Sequence, residues 1–191
     1  MARTREFDID QALDRAMDVF WRRGYAATSL QDLTSALGIG SGSLYAAFGS
    51  KEKLYGQALE RYTSHNTGEL VAQLESADKV RPALRAALTA MAEADLCDPD
   101  RGCMMVNAAT ERASDPATAA QVSATLRLVE STIAGALERA KARGELTADK
   151  NPAELARLLT TFMQGLRVMG QARAGREFVE SAVAAAMRTL D

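Results

Sequence analysis

Only two cysteines, one histidine and four prolines occur in a chain of 191 residues. Two cysteines, Cys97 and Cys103, cannot build a disulfide scaffold, and they fit a reducing compartment. With His65 alone, a histidine-rich metal site or a Ser-His-Asp triad would rest on one candidate. No paired acids, metal-ligand spacing or activated nucleophile stands out, so no enzyme activity, metal or cofactor is expected. No run of about eighteen apolar residues is present, and the opening stretch is charged rather than apolar. A membrane span and a secretory leader are therefore not expected, and the expected compartment is the cytoplasm. Net charge is −2, which argues against a broadly basic nucleic-acid coat but leaves room for a local patch. Residues 1–60 are themselves near neutral, with seven Lys/Arg against eight Asp/Glu.

What the chain does contain is alanine and helical periodicity. The prolines fall at Pro82, Pro99, Pro116 and Pro152, leaving long intervals for helices and no evident strand, so the expected fold is all-α with about nine helices. The first helix is expected from Asp8 to Arg23, with Ile9, Leu13, Ala16 and Phe20 on one face and Gly24 as its stop. Thr28 with Gln31 reads as a capping box for a second, short helix carrying Leu30, Leu33 and Leu37. After Gly38-Ile39 a third short helix is expected from Ser41 to Phe48. Ser50 then caps a longer fourth helix with Leu54, Ala58 and Tyr62. Pro82 opens a fifth helix, and a sixth is expected from Gly102 to Ala113. Asp115-Pro116 and Asn151-Pro152 open two more, and the last carries Val179, Val183, Met187 and Leu190.

Two short amphipathic helices joined across Gly38-Ile39 are a helix-turn-helix pattern. Leu33, Leu37, Ile39, Leu44 and Phe48 would lock the pair. The small groups Ser41, Gly42, Ser43, Ala46 and Ala47 would face outward, where a major groove admits them. On these residues the resemblance becomes specific. Phe20, Gly24-Tyr25, Thr28-Ser29, Leu44-Tyr45, Phe48 and Lys51 stand in the order seen in the DNA-binding domain of the tetracycline-repressor (TetR) family, and residues 7–56 resemble that domain. The resemblance implies a helix-turn-helix domain over residues 1–49 and a ligand-binding and dimerisation domain over residues 50–191. It implies phosphate contacts from Thr28, Tyr45 and Lys51, and base-edge contacts from Ser41, Gly42 and Ser43. Arg3 and Arg5 would reach a minor groove or flanking backbone from an arm ahead of the first helix. Gly40 departs from the usual capping Ser or Thr, and Ala46-Ala47 replaces bulkier polar residues, which shifts readout toward other positions or DNA shape.

The larger part of the chain resembles the family only in its run of longer helices. Tyr62, Met91, Cys103, Asn107, Phe162 and Met163 are the expected lining of a mainly apolar ligand cavity. There the Asn107 amide, which needs a partner when buried, would bond either the ligand as a polar anchor or a neighbouring helix, and the thioethers would form an adaptable wall. His65 reads as a partly buried structural residue, and Arg22-Arg23 as cations placed at a helix C-terminus. The implied protein is a homodimeric repressor, paired through its two C-terminal helices with the Val183 and Met187 stripe at the subunit interface, and released from double-stranded operator DNA by a small apolar or amphipathic inducer. Two other readings use the same residues: a thiol-based sensor acting through Cys97 and Cys103, and a helical interaction module that has lost DNA binding.

Overall fold

Capping chemistry sets most helix boundaries. The computed structural model describes residues 7–191, and Arg3 and Arg5 lie outside them. The described residues form α1 (Ile9–Arg23), α2 (Leu30–Leu37), α3 (Ser41–Phe48), α4 (Lys51–Glu75), α5 (Val80–Cys97), α6 (Met104–Glu111), α7 (Pro116–Ala142), α8 (Pro152–Gln171) and α9 (Arg176–Arg188), with no strand among them. Asp8 caps α1 by accepting from the backbone N–H groups of Asp10 and Gln11. Asp115 and Asn151 do the same for α7 and α8, each with proline in the first turn. Such caps are each worth about 1 kcal/mol.

The α2 cap differs from the sequence expectation. Ser29, not Thr28, is the N-cap, and its box partner is Asp32, not Gln31. The register moves by one because the Thr28 hydroxyl is drawn inward, where it donates to the Gly24 carbonyl at 2.6 Å. The sixth helix is also shorter than expected. Cys103, expected inside it, is its N-cap.

Two hydrophobic cores divide the molecule, and the division cuts across α4. One core joins α1, α2 and α3 to the first half of α4, through Leu54, Tyr55, Ala58, Leu59 and Tyr62, and to Cys103, Met104, Met105 and Ala108. The other joins Leu70 and Leu74 of α4 to α5, α7, α8 and α9. So α4 is a shared beam, and α6 packs with the N-terminal helices although it follows α5 in sequence. Val179, Val183 and Met187 of α9 are 2%, 5% and 0% exposed. That stripe is core within one chain, which corrects the expectation that Val183 and Met187 form a subunit interface. The large apolar groups that stay exposed on α8 and just after it, in α9, are Leu158, Val168, Met169 and Phe178, with Leu128 on α7. No helix among the described residues is long and apolar enough to cross a membrane.

Candidate DNA-reading surface and ligand cavity

Gly38, in left-handed conformation (φ 69°), ends α2 and lets α3 cross it. Leu33, Leu37, Leu44 and Phe48 are buried between the two helices and α4. With its inner face locked, α3 turns Ser41, Gly42, Ser43, Tyr45 and Ala46 outward, all exposed. Tyr45 is the one large side chain of the set, 44% exposed. The helix carries no charge of either sign. Its outer face is therefore small and neutral, able to approach a base-pair edge without repelling phosphates.

Beside α3 lies a cluster built on Tyr25. Its hydroxyl donates to Glu52 Oε1 at 2.7 Å, and its ring stands at 5.0 Å, edge-on, from that of Tyr55. Lys51 Nζ lies 4.2 Å from the ring centroid and the Arg112 guanidinium 3.9 Å from it. Lys51 is thus held against an aromatic face rather than waving in solvent, and partial burial brings its ammonium below the usual lysine range. Thr28 is 1% exposed, so its hydroxyl does not face a phosphate. The exposed residue at the start of α2 is instead its N-cap, Ser29.

Two contacts fasten this N-terminal unit to α6. The Glu111 carboxylate accepts from the Tyr25 N–H at 2.8 Å and the Ala26 N–H at 3.4 Å. Gly24 makes the approach possible: an added Cβ would sit 2.2 Å from Glu111 Oε1, at a positive φ besides. At the other end of α6, Trp21 Nε1 donates to the Gly102 carbonyl at 2.8 Å, with Arg101 stacked on the indole.

A cavity of about 250 Å³ opens between α4, α5, α7 and α8. Of the residues expected to line it, Tyr62, Met91, Cys103 and Met163 do so. Asn107 and Phe162 do not. Asn107 lies one turn further along α6 than Cys103, away from the cavity, and Phe162 packs half-buried against the C-terminal core. Met105, Val129 and Leu70 complete an apolar wall. His65 is exposed on α4 beside Glu69, not partly buried.

The polar end of the cavity was not anticipated from the sequence. Asn66 and Gln164 also line it, but both donate back to carbonyls of their own helices. Gln73 lines it too and donates across to the Ala83 carbonyl of α5, and Arg167 heads a longer chain across four elements. Arg167 of α8 donates from Nη1 to Asp95 Oδ1 of α5 at 2.6 Å and from Nη2 to the Tyr62 hydroxyl of α4 at 3.0 Å. Tyr62 donates in turn to Cys103 Sγ at 3.5 Å. Burial pushes the Tyr62 hydroxyl far above the usual tyrosine range, so it stays protonated. Burial also raises the Asp95 carboxyl, against the opposing pull of Arg167. Asp95 Oδ2 has no partner. The pair is possible because Gly170 of α8 lets the helices close: a Cβ there would lie 2.6 Å from that of Asp95.

No cluster of three or more metal-ligating side chains is found among the described residues. The sequence pattern of the family described as "Bacterial regulatory proteins, tetR family" matches residues 12–58, and that of the "Tetracyclin repressor-like, C-terminal domain" matches residues 76–186. The chain is 35% identical over 181 residues to the HTH-type transcriptional repressor ComR of Escherichia coli (strain K12), covering 92% of this chain and 85% of ComR. It is 33% identical, over the full length of both, to an uncharacterized HTH-type transcriptional regulator, YezE, of Bacillus subtilis (strain 168). Among solved structures, a cysteine-substituted TetR family transcriptional regulator, CifR, complexed with 26bp double-strand operator DNA, superposes with a TM-score of 0.89 at 36% identity over all of both chains.

Proposed function

The chain belongs to the TetR family of bacterial regulatory proteins, and from that premise we propose that it is a homodimeric transcriptional repressor whose hold on operator DNA is set by a small molecule in the α4–α8 cavity. Residues 1–49 read DNA, and residues 50–191 bind the inducer and the second subunit. The observation that carries the reading is the neutral, small-residue outer face of α3, presented over a locked core. Ser41, Gly42 and Ser43 meet base edges there. Tyr45, Lys51 and the start of α2 at Ser29 hold phosphates, the last through backbone N–H groups aligned at a helix N-terminus. Arg3 and Arg5 reach the flanking DNA. Relatives described as repressors, and a structural neighbour bound to operator DNA, support the same reading.

The subunits pair through the exposed apolar groups of α8 and α9, Leu158, Val168, Met169 and Phe178. Exposed apolar groups on two helices that pack together are what a subunit interface covers. Fluorescence anisotropy with the DNA upstream of the protein's own gene, at low and moderate salt, tests the reading. Site-specific binding with a steep salt dependence is expected. Absence of binding at low salt would return the chain to the class of helical interaction modules. One observation favours a second mode of sensing: Cys103 lines the cavity and accepts a hydrogen bond from Tyr62, so a thiol-reactive molecule entering the cavity would meet sulfur.

A further inference from the structure

The polar end of the cavity also defines what kind of molecule fits it. Resting on the reading of this cavity as the inducer site, we propose that the ligand is a small, uncharged, mainly apolar molecule bearing one carbonyl-type acceptor, received jointly by Arg167 and Tyr62.

A guanidinium has five N–H groups, and the hydrogen bonds to Asp95 and Tyr62 use one on each of Nη1 and Nη2. Arg167 therefore lines the cavity with donors to spare. The Tyr62 hydroxyl spends its proton on a sulfur 3.5 Å away, a weak acceptor. A carbonyl oxygen offers two lone pairs and is the better acceptor, so it can take one N–H from Arg167 and the O–H from Tyr62 at once.

Charge then narrows the class. Arg167 and Asp95 neutralise each other, with side chains 11% and 4% exposed. A carboxylate ligand would add a net negative charge to a buried, balanced pair, a costly placement. If it instead captured Arg167, Asp95 would lose its one hydrogen-bonding partner, and its Oδ2 is already unpaired. An ammonium would face the guanidinium, and Glu69, the carboxylate among the lining residues, is largely exposed to solvent beside His65. A pure hydrocarbon would leave the spare donors unmet. At about 250 Å³ the site lies below the range of drug-sized pockets, so the ligand is small, and the thioethers of Met91, Met105 and Met163 accommodate its apolar body.

Four probes of one shape separate these cases: benzylacetone, hydrocinnamate, phenylpropylamine and n-butylbenzene. Binding to the intact protein is read by calorimetry and by the fluorescence of Trp21, the single tryptophan, whose ring centroid lies 4.6 Å from that of Tyr62. The ketone is expected to bind tightest, by on the order of tenfold over each of the others, as a hydrogen bond to a charged donor implies. Tyr62→Phe keeps the ring and should erode the preference for ketone over n-butylbenzene severalfold. The paired change Asp95→Leu with Arg167→Met removes both charges together, leaves no buried polar group at either position, and should erode the preference by a similar factor. Equal binding of ketone and n-butylbenzene by the unaltered protein, or tightest binding of hydrocinnamate, would overturn this inference while leaving the cavity reading intact. No binding by any of the four would overturn both.

Discussion

Phe178 offers the sharpest test of assembly, because its exposure sets a magnitude. It is 52% exposed in the single chain. A fully buried phenylalanine removes ~150–250 Å² from water, so covering the exposed half removes ~100 Å². At ~25 cal/mol per Å² that is ~2.5 kcal/mol. A two-fold interface counts the residue twice, giving ~5 kcal/mol, or between about three and four decades in the dimer dissociation constant. Phe178→Glu replaces that gain with a charge to be desolvated, so a dimer of ordinary affinity should become monomeric at micromolar concentration. Light scattering coupled to size exclusion reads the mass, and far-ultraviolet circular dichroism should show the helix content retained. Met187→Glu is the contrasting control. At 0% exposure, it would bury an unpaired charge at a cost of several kcal/mol, comparable to the whole stability of a domain, and the chain should unfold. An intact dimer of Phe178→Glu would refute the α8–α9 assignment, and a folded monomer of Met187→Glu would refute the placement of α9 in the core.

Tyr45→Phe should weaken DNA binding about fivefold on all sequences alike, the loss of one phosphate hydrogen bond, and Lys51→Ala should lower the salt slope by about one per subunit. Enlarging Ser43 to Gln should change which sequence is preferred, measured by selection from a random operator library. Thr28→Val should cost about 1 kcal/mol of stability, about 2–4 °C in melting temperature, with the salt slope untouched; a changed slope would mean that the hydroxyl turns outward on DNA. Glu111→Leu, which leaves the Tyr25 and Ala26 N–H groups without their acceptor, should lower the melting temperature by a similar amount. Mild peroxide should leave the operator complex intact; release by peroxide that disappears in a Cys97→Ser, Cys103→Ser variant would replace small-molecule binding with thiol sensing.

The helix-turn-helix was legible in the sequence because its constraints are local. Gly24, Gly38 and the Leu33–Leu37–Leu44–Phe48 spacing fix both helices and turn within a few residues of one another. Thr28 was misread for an equally local reason: Thr28-Ser29 offers two caps in succession, and only the long reach of the Thr28 hydroxyl back to Gly24 decides between them. The cavity was half legible. Tyr62, Met91 and Met163 sit on apolar stripes that periodicity detects, and Cys103 stands just before another. Asp95 and Arg167, 72 residues apart, look like ordinary solvated charges on α5 and α8, and no spacing rule pairs them. Gly170, where the Asp95 side chain makes its close approach, looks no different in sequence from Gly165 of the same helix, which has nothing near it. The α9 stripe misled because periodicity shows that a face is covered, not whether the same chain or another covers it.

The link between cavity and DNA reader does not need a long relay. Tyr62 belongs to both: its hydroxyl ends the Arg167 chain, and its ring packs edge-on against Trp21 of α1. Trp21 is tied in turn to Gly102, the residue before the α6 cap, while Glu111 at the far end of α6 holds the turn that leads into α2. The reader is thus gripped at two points by one short helix whose cap, Cys103, is a wall of the cavity. A ligand that drew the Tyr62 hydroxyl away from Cys103 would free the start of α6 and alter the packing of Trp21 at the same time. Release of DNA requires that this rearranged form bind the ligand better than the DNA-bound form does. A coupling of about 1–3 kcal/mol suffices for a 5- to 150-fold change in affinity. In the proposed dimer the effect would be amplified, because half-sites about 34 Å apart would demand that both recognition helices keep their separation. An inward or outward swing of either reader on its α6 grip therefore costs contacts on both halves of the operator.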